Sequence, residues 1–121
     1  MERNLKLYDA EYRMVNIVWK NEPLHSRELT ELCAKQLGWK RSTTYTVLKK
    51  LCDRGILKND SAIVTSLVSQ GEVQRYEAEA VMGKSFGGSL PKFITAFLDD
   101  KKLSAEQVSE IKRLIDRYKE D

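Results

Sequence analysis

The chain has little of what most enzymes and secreted proteins rely on. Among its 121 residues only Cys33 and Cys52 are cysteines. They make no CxxC pair and no Cys/His spacing, so neither a disulfide framework nor a zinc site is expected. Both fall on apolar helix faces and read as buried thiols of a reducing, cytoplasmic setting. The single histidine, His25, sits in a Pro-containing loop and reads as a surface residue rather than a ligand or catalyst. No Gly-rich phosphate loop occurs and no carboxylates read as paired in a pocket, so neither an enzyme nor a bound cofactor or metal is expected. No apolar run approaches the roughly 18 residues that cross a bilayer, which excludes membrane insertion by a helix. The start Met1-Glu2-Arg3-Asn4 lacks the apolar core of a signal peptide.

What the sequence does have is charge and helical periodicity. Charged residues make up 32% of the chain and apolar ones 41%, the balance of a folded, water-facing domain. The net charge of +3 is unevenly spread. Residues 1–58 carry 12 basic and 7 acidic side chains, whereas residues 59–121 carry 9 and 11. Between Trp39 and Lys58 stand Lys40, Arg41, Lys49, Lys50, Arg54 and Lys58 against Asp53 alone. A local positive excess of this kind fits a nucleic-acid-binding face, although a solvated helix face has the same composition.

Proline and glycine divide the chain. Ala10 to Lys20 places Met14, Ile17 and Val18 at helical spacing, with Asp9 as a candidate cap. Pro23 interrupts, and Ser26 opens a second helix through Leu37 with Gly38 as its stop. A third helix spans about Arg41 to Asp53, with an apolar seam of Val47, Leu48 and Leu51, and Gly55 ends it. Ile56 to Val68 reads as a short hairpin turning at Asn59-Asp60-Ser61. Three helices and a hairpin make a winged helix-turn-helix, whose third helix is the one that enters a major groove. Off its seam lie Ser42, Thr43, Tyr45, Thr46, Lys49 and Lys50, with Thr43, Thr46 and Lys50 on one stripe. Hydroxyls and threonine methyls suit base edges, and Lys40, Arg41, Lys49 and Lys50 suit phosphates or guanine.

The rest of the chain is helical. Ser69-Gln70-Gly71-Glu72 is a capping box for a helix to about Phe86, which Gly87-Gly88 stops. Ser89-Leu90-Pro91 restarts a helix carrying Phe93, Ile94, Phe97 and Leu98. Ser104-Ala105-Glu106-Gln107 is a second capping box, opening a helix to about Lys119 with Val108, Ile111, Leu114, Ile115 and Tyr118 on its apolar face. So small a segment cannot bury these residues against itself, and a twofold partner is the economical cover, so a homodimer is expected. The expected fold is mainly α with a small β-wing: residues 1–68 a winged helix-turn-helix, residues 69–121 a helical dimerisation domain.

Three stretches, LYDAEYRMVNIVWK, GWKRSTTYTVLKKLCDRGILK and LVSQGEVQRYEAEAVMGKSFGGSLPKFITAFLDDKKLSAEQVSEIKRLI, together resemble the penicillinase repressor family of BlaI, MecI and CopY type. The resemblance covers nearly the whole chain. It implies a bacterial transcriptional repressor, dimeric, bound to a palindromic double-stranded DNA operator and released by an inducing signal or by proteolysis linked to a membrane sensor. The bond corresponding to the cleaved one is Ala96–Phe97. Ala96 stands where cleaved members carry asparagine, and Phe97 reads more simply as an aromatic of the dimer core. Two further departures are visible. The segment from Gly55 to Leu67 is short and carries Asn59-Asp60-Ser61 where members often have basic residues. No cysteine follows Cys52, so the cysteine cluster of copper-responsive members is missing and copper release is not expected. The runner-up reading is a winged-helix module whose third helix binds a protein; preference for operator over random duplex separates the two.

Overall fold

A computed structural model describes residues 4–120. The Met1-Glu2-Arg3 start and the terminal Asp121 lie outside the described residues. The chain divides into two compact units, Met1–Ala80 and Val81–Asp121.

In the first unit, α1 (Asp9–Asn21), α2 (Ser26–Leu37) and α3 (Arg41–Asp53) surround a core of Met14, Val15, Val18, Leu29, Leu48 and Leu51, all almost fully buried. The bounds of α2 and α3 are those the sequence predicts, because their ends are set locally. Gly38 closes α2 in the left-handed region, at φ 70°, where a side chain would be strained. Its N–H donates to Ala34 O at 3.1 Å, and that of Trp39 to Cys33 O at 3.3 Å. The expected cap at Asp9 is displaced by one residue. Tyr8 occupies the cap position, its N–H donating to Glu11 Oε1 at 3.0 Å, while Asp9 is already helical and pairs with Arg13 at 3.2 Å.

The wing is a hairpin of β2 (Leu57–Asp60) and β3 (Ile63–Ser66), with Leu57 opposite Ser66 and Asp60 opposite Ile63. Its turn is Ser61-Ala62, not Asn59-Asp60-Ser61 as the sequence reading places it. Both turn residues have positive φ, 50° and 70°, the sign that a two-residue hairpin turn of the I′ class demands. Asn59 and Asp60 therefore belong to a strand. A third strand, β1 (Leu24–His25), pairs with β3 in the region expected to be loop, giving the order β1-β3-β2. Two side chains tie α1 to the wing: Glu22 accepts from Ser66 N at 2.8 Å and from its hydroxyl, and Trp19 Nε1 donates to Val68 O at 3.0 Å.

Helix α4 (Gln70–Phe86) opens with the expected capping box, Ser69 Oγ accepting from Glu72 N at 3.1 Å and Glu72 Oε1 from Ser69 N at 3.4 Å. Its first half belongs to the first unit: Val73 is fully buried, and Tyr76 donates to Asn4 Oδ1 at 3.2 Å. The division expected at residues 68 and 69 thus marks the end of the wing, whereas the compact units separate inside α4.

In the second unit, α5 (Leu90–Leu98) is capped by Ser89 Oγ, which accepts from Lys92 N, and α6 (Ala105–Arg117) by the Ser104/Gln107 box. Helix α6 stops at Arg117, slightly short of the expected Lys119. Phe93 meets Phe86 edge-on, with centroids 5.3 Å apart, and stacks on Phe97 at 6.1 Å. No side chain from Val81 to Glu120 is buried.

Candidate nucleic-acid interface

Helix α3 presents two faces. Thr44, Leu48 and Leu51 are buried inward, and Val47 is half-buried. Thr44 is an inward polar residue that the apolar seam does not reveal. Its hydroxyl reaches Lys40 O at 3.4 Å, which satisfies it within its own helix. It also bonds the thiol of Cys33 on α2, whose pKa burial pushes up and this bond partly lowers. Cys52 is half-buried, and burial followed by the Asp53 charge raises its thiol as well. Both cysteines therefore resist forming the thiolate that redox chemistry uses.

The outward face holds Ser42, Thr43, Thr46, Lys49 and Lys50, all exposed, with Lys40 and Arg41 exposed at the helix start. The stripe of Thr43, Thr46 and Lys50 is thus open to solvent. Thr46 donates its hydroxyl hydrogen to Ser42 O at 2.9 Å, which leaves its lone pairs and methyl group outward for a base edge or thymine. Lys49 pairs with Asp53 at 3.0 Å, an exposed contact of the kind that contributes under about 1 kcal/mol and yields readily to a phosphate. Acidic side chains are missing from the first turn of α3.

One residue expected on this face, and one counted only in the local basic excess, lie elsewhere. Tyr45 is half-buried against the core, and its hydroxyl is bonded by the side chains of Ser26 and Arg41, which hold the phenol below its usual pKa. It belongs to the junction of α2 with α3. Arg54, counted among the basic cluster, is turned inward. Its Nη1 lies 2.9 Å from both carboxylate oxygens of Glu11, and its Nη2 donates to Lys6 O at 2.6 Å and Asn4 O at 3.3 Å. Glu11 is 3% exposed, so the arginine serves a buried carboxylate rather than DNA. Glu11 and Glu22 are thus carboxylates engaged within the fold, Glu11 by Arg54 and Glu22 by Ser66.

His25 has a role that sequence reasoning misses. Its Nδ1 accepts from Arg27 N at 3.0 Å and caps α2, while Glu28 Oε1 accepts from His25 N at 3.4 Å. The signal is the Glu three residues on, half of a capping box that a histidine completes. Trp39 packs half-buried on the core, as does Trp19. On the wing, Lys58, Asn59 and Asp60 are exposed, so its outer strand offers one basic and one acidic side chain.

The expected dimer-forming residues lie in the second unit. Ile94, Phe97, Ile111, Leu114, Ile115 and Tyr118 are exposed, Tyr118 by 79% and Phe97 by 57%. Phe93, Leu98 and Val108 are half-buried. Ala96 and Phe97 sit within α5; Lys101 Nζ lies 4.8 Å from the Phe97 ring and donates to Phe97 O at 2.8 Å. Among the described residues no group of His, Cys, Asp and Glu could hold a metal ion, and no helix is long and apolar enough to cross a membrane.

A family profile described as penicillinase repressor matches residues 7–117. The chain belongs to the penicillinase repressor family. Members of this family are transcriptional regulators, not enzymes. The penicillinase repressor of Bacillus licheniformis is 20% identical over 123 residues, covering 98% of this chain and 96% of that protein. The methicillin resistance regulatory protein MecI of Staphylococcus aureus is 20% identical over 119 residues, covering 95% and 97%. A solved MarR family protein of Mycobacterium tuberculosis, in complex with DNA, is 24% identical, with a TM-score of 0.47 over 96% of this chain and 80% of that one.

Proposed function

We propose that this chain is a dimeric transcriptional repressor that inserts α3 of each protomer into the major groove of a palindromic operator. The carrying observation is the outward face of α3, where Thr43, Thr46 and Lys50 form one exposed stripe flanked by Lys40, Arg41 and Lys49. Side chains of this kind read base edges and neutralise phosphates, and the rigid core behind Leu48 and Leu51 holds them in register. Membership of a repressor family supports the same reading.

The second unit supplies the dimer. Its apolar side chains remain uncovered along α5 and α6, and a second copy presents the same apolar surface in return. Around Leu114 run Glu110, Arg113, Asp116 and Arg117, an alternation of both signs that suits a twofold mate. Release follows from an inducing signal, or from cleavage at Ala96–Phe97 by a protease coupled to a membrane sensor. Helix α5 has no buried residue, so opening its backbone for a protease costs little packing.

Mobility shift against DNA upstream of the chain's own coding region tests the proposal. Binding that prefers this DNA over random duplex, with a log–log salt slope of several units at about −0.9 per neutralised phosphate, is expected. Equal affinity for both duplexes overturns specific repression and favours a protein-binding module. Mass spectrometry of host cells exposed to a β-lactam distinguishes the routes of release: a fragment ending at Ala96 indicates proteolysis, and an intact chain indicates a bound signal.

A further inference from the structure

The wing ends where its support ends. Strand β1 pairs with the turn-side end of β3, Leu24 opposite Val64 and His25 opposite Ile63, and Ile63 directly follows the Ser61-Ala62 turn. The pairing runs on into α2, because Ser26 N donates to Ala62 O at 2.7 Å. The hairpin therefore ends level with the strand beside it. Ser61 and Ala62 both stand at positive φ, where glycine or asparagine is usual, and strain of this kind persists where the surroundings hold the backbone fixed. Ser26 supplies that hold. Charge gives a second, independent argument. Lys58 and Asp60 alternate with Asn59 along β2, so both point to one face of the sheet, and both are exposed. The start of α2 beside the turn adds exposed Arg27, Glu28 and Glu31, so anions outnumber cations around the turn. By contrast, α3 and its approach expose Lys40, Arg41, Lys49 and Lys50 against Asp53 alone.

We propose that the wing is a brace for the reading helix and not a DNA-contacting arm: its Ala62 carbonyl holds the first residue of α2, and the duplex flanking α3 is left untouched. Phosphate contact needs cations that reach the backbone, and this wing offers one lysine beside an aspartate on a hairpin that stops at α2. As a brace it is well placed. Helix α2 leads into α3 through Gly38, Trp39 and Lys40 alone, and Leu29 of α2 shares a core with Leu48 and Leu51 of α3. Fixing the start of α2 therefore fixes the axis from which α3 projects Thr43, Thr46 and Lys50. At the other end of the hairpin Glu22 accepts from Ser66, and Trp19 donates to Val68 O, so the wing is tied to α1 as well. Ser26 is a positioning residue, acting through its amide. This inference rests on the DNA-binding reading above and narrows the surface that meets the duplex to α3.

The test is the salt dependence of binding to the upstream DNA and to a random duplex, for the full chain and for Lys58→Gln, Ser26→Ala and Ser26→Pro. Lys58→Gln is expected to leave affinity and log–log slope unchanged; a slope lowered by about 0.9 means that the wing neutralises a phosphate, which overturns the proposal. Ser26→Pro removes the amide at the first helical position, where proline is otherwise well tolerated. It is expected to lower the preference for upstream DNA by about fivefold, the low end of what one base contact discriminates, with the slope kept. Ser26→Ala loses the hydroxyl but keeps the amide and is expected to match the parent. A proline variant with full preference, or an alanine variant with the same loss, overturns the brace. Amide hydrogen exchange reads the bond directly: Ser26 N–H is expected to be protected, and exchange as fast as that of an unbonded first-turn amide overturns the proposal. Thermal midpoints separate lost preference from unfolding, and Lys58→Gln and the exchange measurement decide the matter if Ser26→Pro does not fold. These failures leave DNA binding through α3 intact, whereas a parent chain that binds neither duplex defeats the repressor reading along with the brace.

Discussion

From Leu5 to Val73 the chain buries fifteen apolar side chains, several to complete exclusion of solvent, whereas from Val81 to Glu120 it buries none. Helix starts do not explain the contrast, since serine caps open α5 and α6 as well as any helix of the first unit. The difference lies in partners. In the first unit each apolar stripe meets another helix or the wing, and long-range polar bonds such as Glu11 to Arg54 and Glu22 to Ser66 lock the arrangement. In the second, the most amphipathic helices of the chain show their apolar faces to water. One unit closes its core within a single chain; the other leaves its apolar faces uncovered.

The largest effect should come from breaking the lock in the first unit. Arg54→Ala strands the buried Glu11 carboxylate and is expected to cost about 3–5 kcal/mol in urea unfolding, a large fraction of the stability of an ordinary domain. A cost under about 1 kcal/mol would show that the pair is incidental to the fold. Next comes the uncovered face: Leu114→Asp should raise the dimer dissociation constant by more than about thirtyfold, the size of an interface hot spot of 2 kcal/mol, while the first unit unfolds as before. Sedimentation equilibrium reads this directly, and a parent chain that is monomeric at micromolar concentration contradicts the proposed dimer.

A smaller change probes the surface that the rigid core presents. Thr46→Ala combined with Lys50→Ala should reduce operator preference by about 1–3 kcal/mol for each base edge no longer read, with dimerisation and stability kept. Unchanged preference would show that another face of the first unit does the reading.

The smallest effect is a titration. Desolvation, reinforced by a hydrogen bond to Glu77, raises the Tyr12 phenol, so its folded pKa lies above that of the unfolded chain. Its contribution to stability is fully present below about pH 10 and is lost as pH rises through the folded value. Tyr45 moves the opposite way, its phenolate favoured first by Ser26 and then by Arg41. In a spectrophotometric titration Tyr12→Phe should remove a late-ionising phenol and Tyr45→Phe an early one. Identical profiles for the two variants would contradict both environments.

Much of the fold is legible in the sequence because its signals are local. Gly38 and the Ser69, Ser89 and Ser104 caps act within a few residues of themselves, so helix ends can be placed within about a turn. Other features depend on partners far along the chain. Strand β1 exists only because Leu24 and His25 pair with Val64 and Ile63, and two residues carry no periodicity. Arg54 resembles part of a basic patch, since nothing in its neighbourhood announces a carboxylate 43 positions earlier. Tyr45 lies off the Val47, Leu48 and Leu51 seam, a position that implies an outward side chain, yet Ser26 on another helix draws it in.

The sequence by itself determined the helices, the presence of a wing, the stripe of Thr43, Thr46 and Lys50, and the excess of apolar surface after Val81. These follow from side-chain period and capping, which involve neighbours within a turn of the helix. Only the tertiary structure decided which charges remain for a ligand. Burial makes an unpaired ion costly, so the fold consumed Arg54 to neutralise Glu11 and left Lys40, Arg41 and Lys50 exposed along α3.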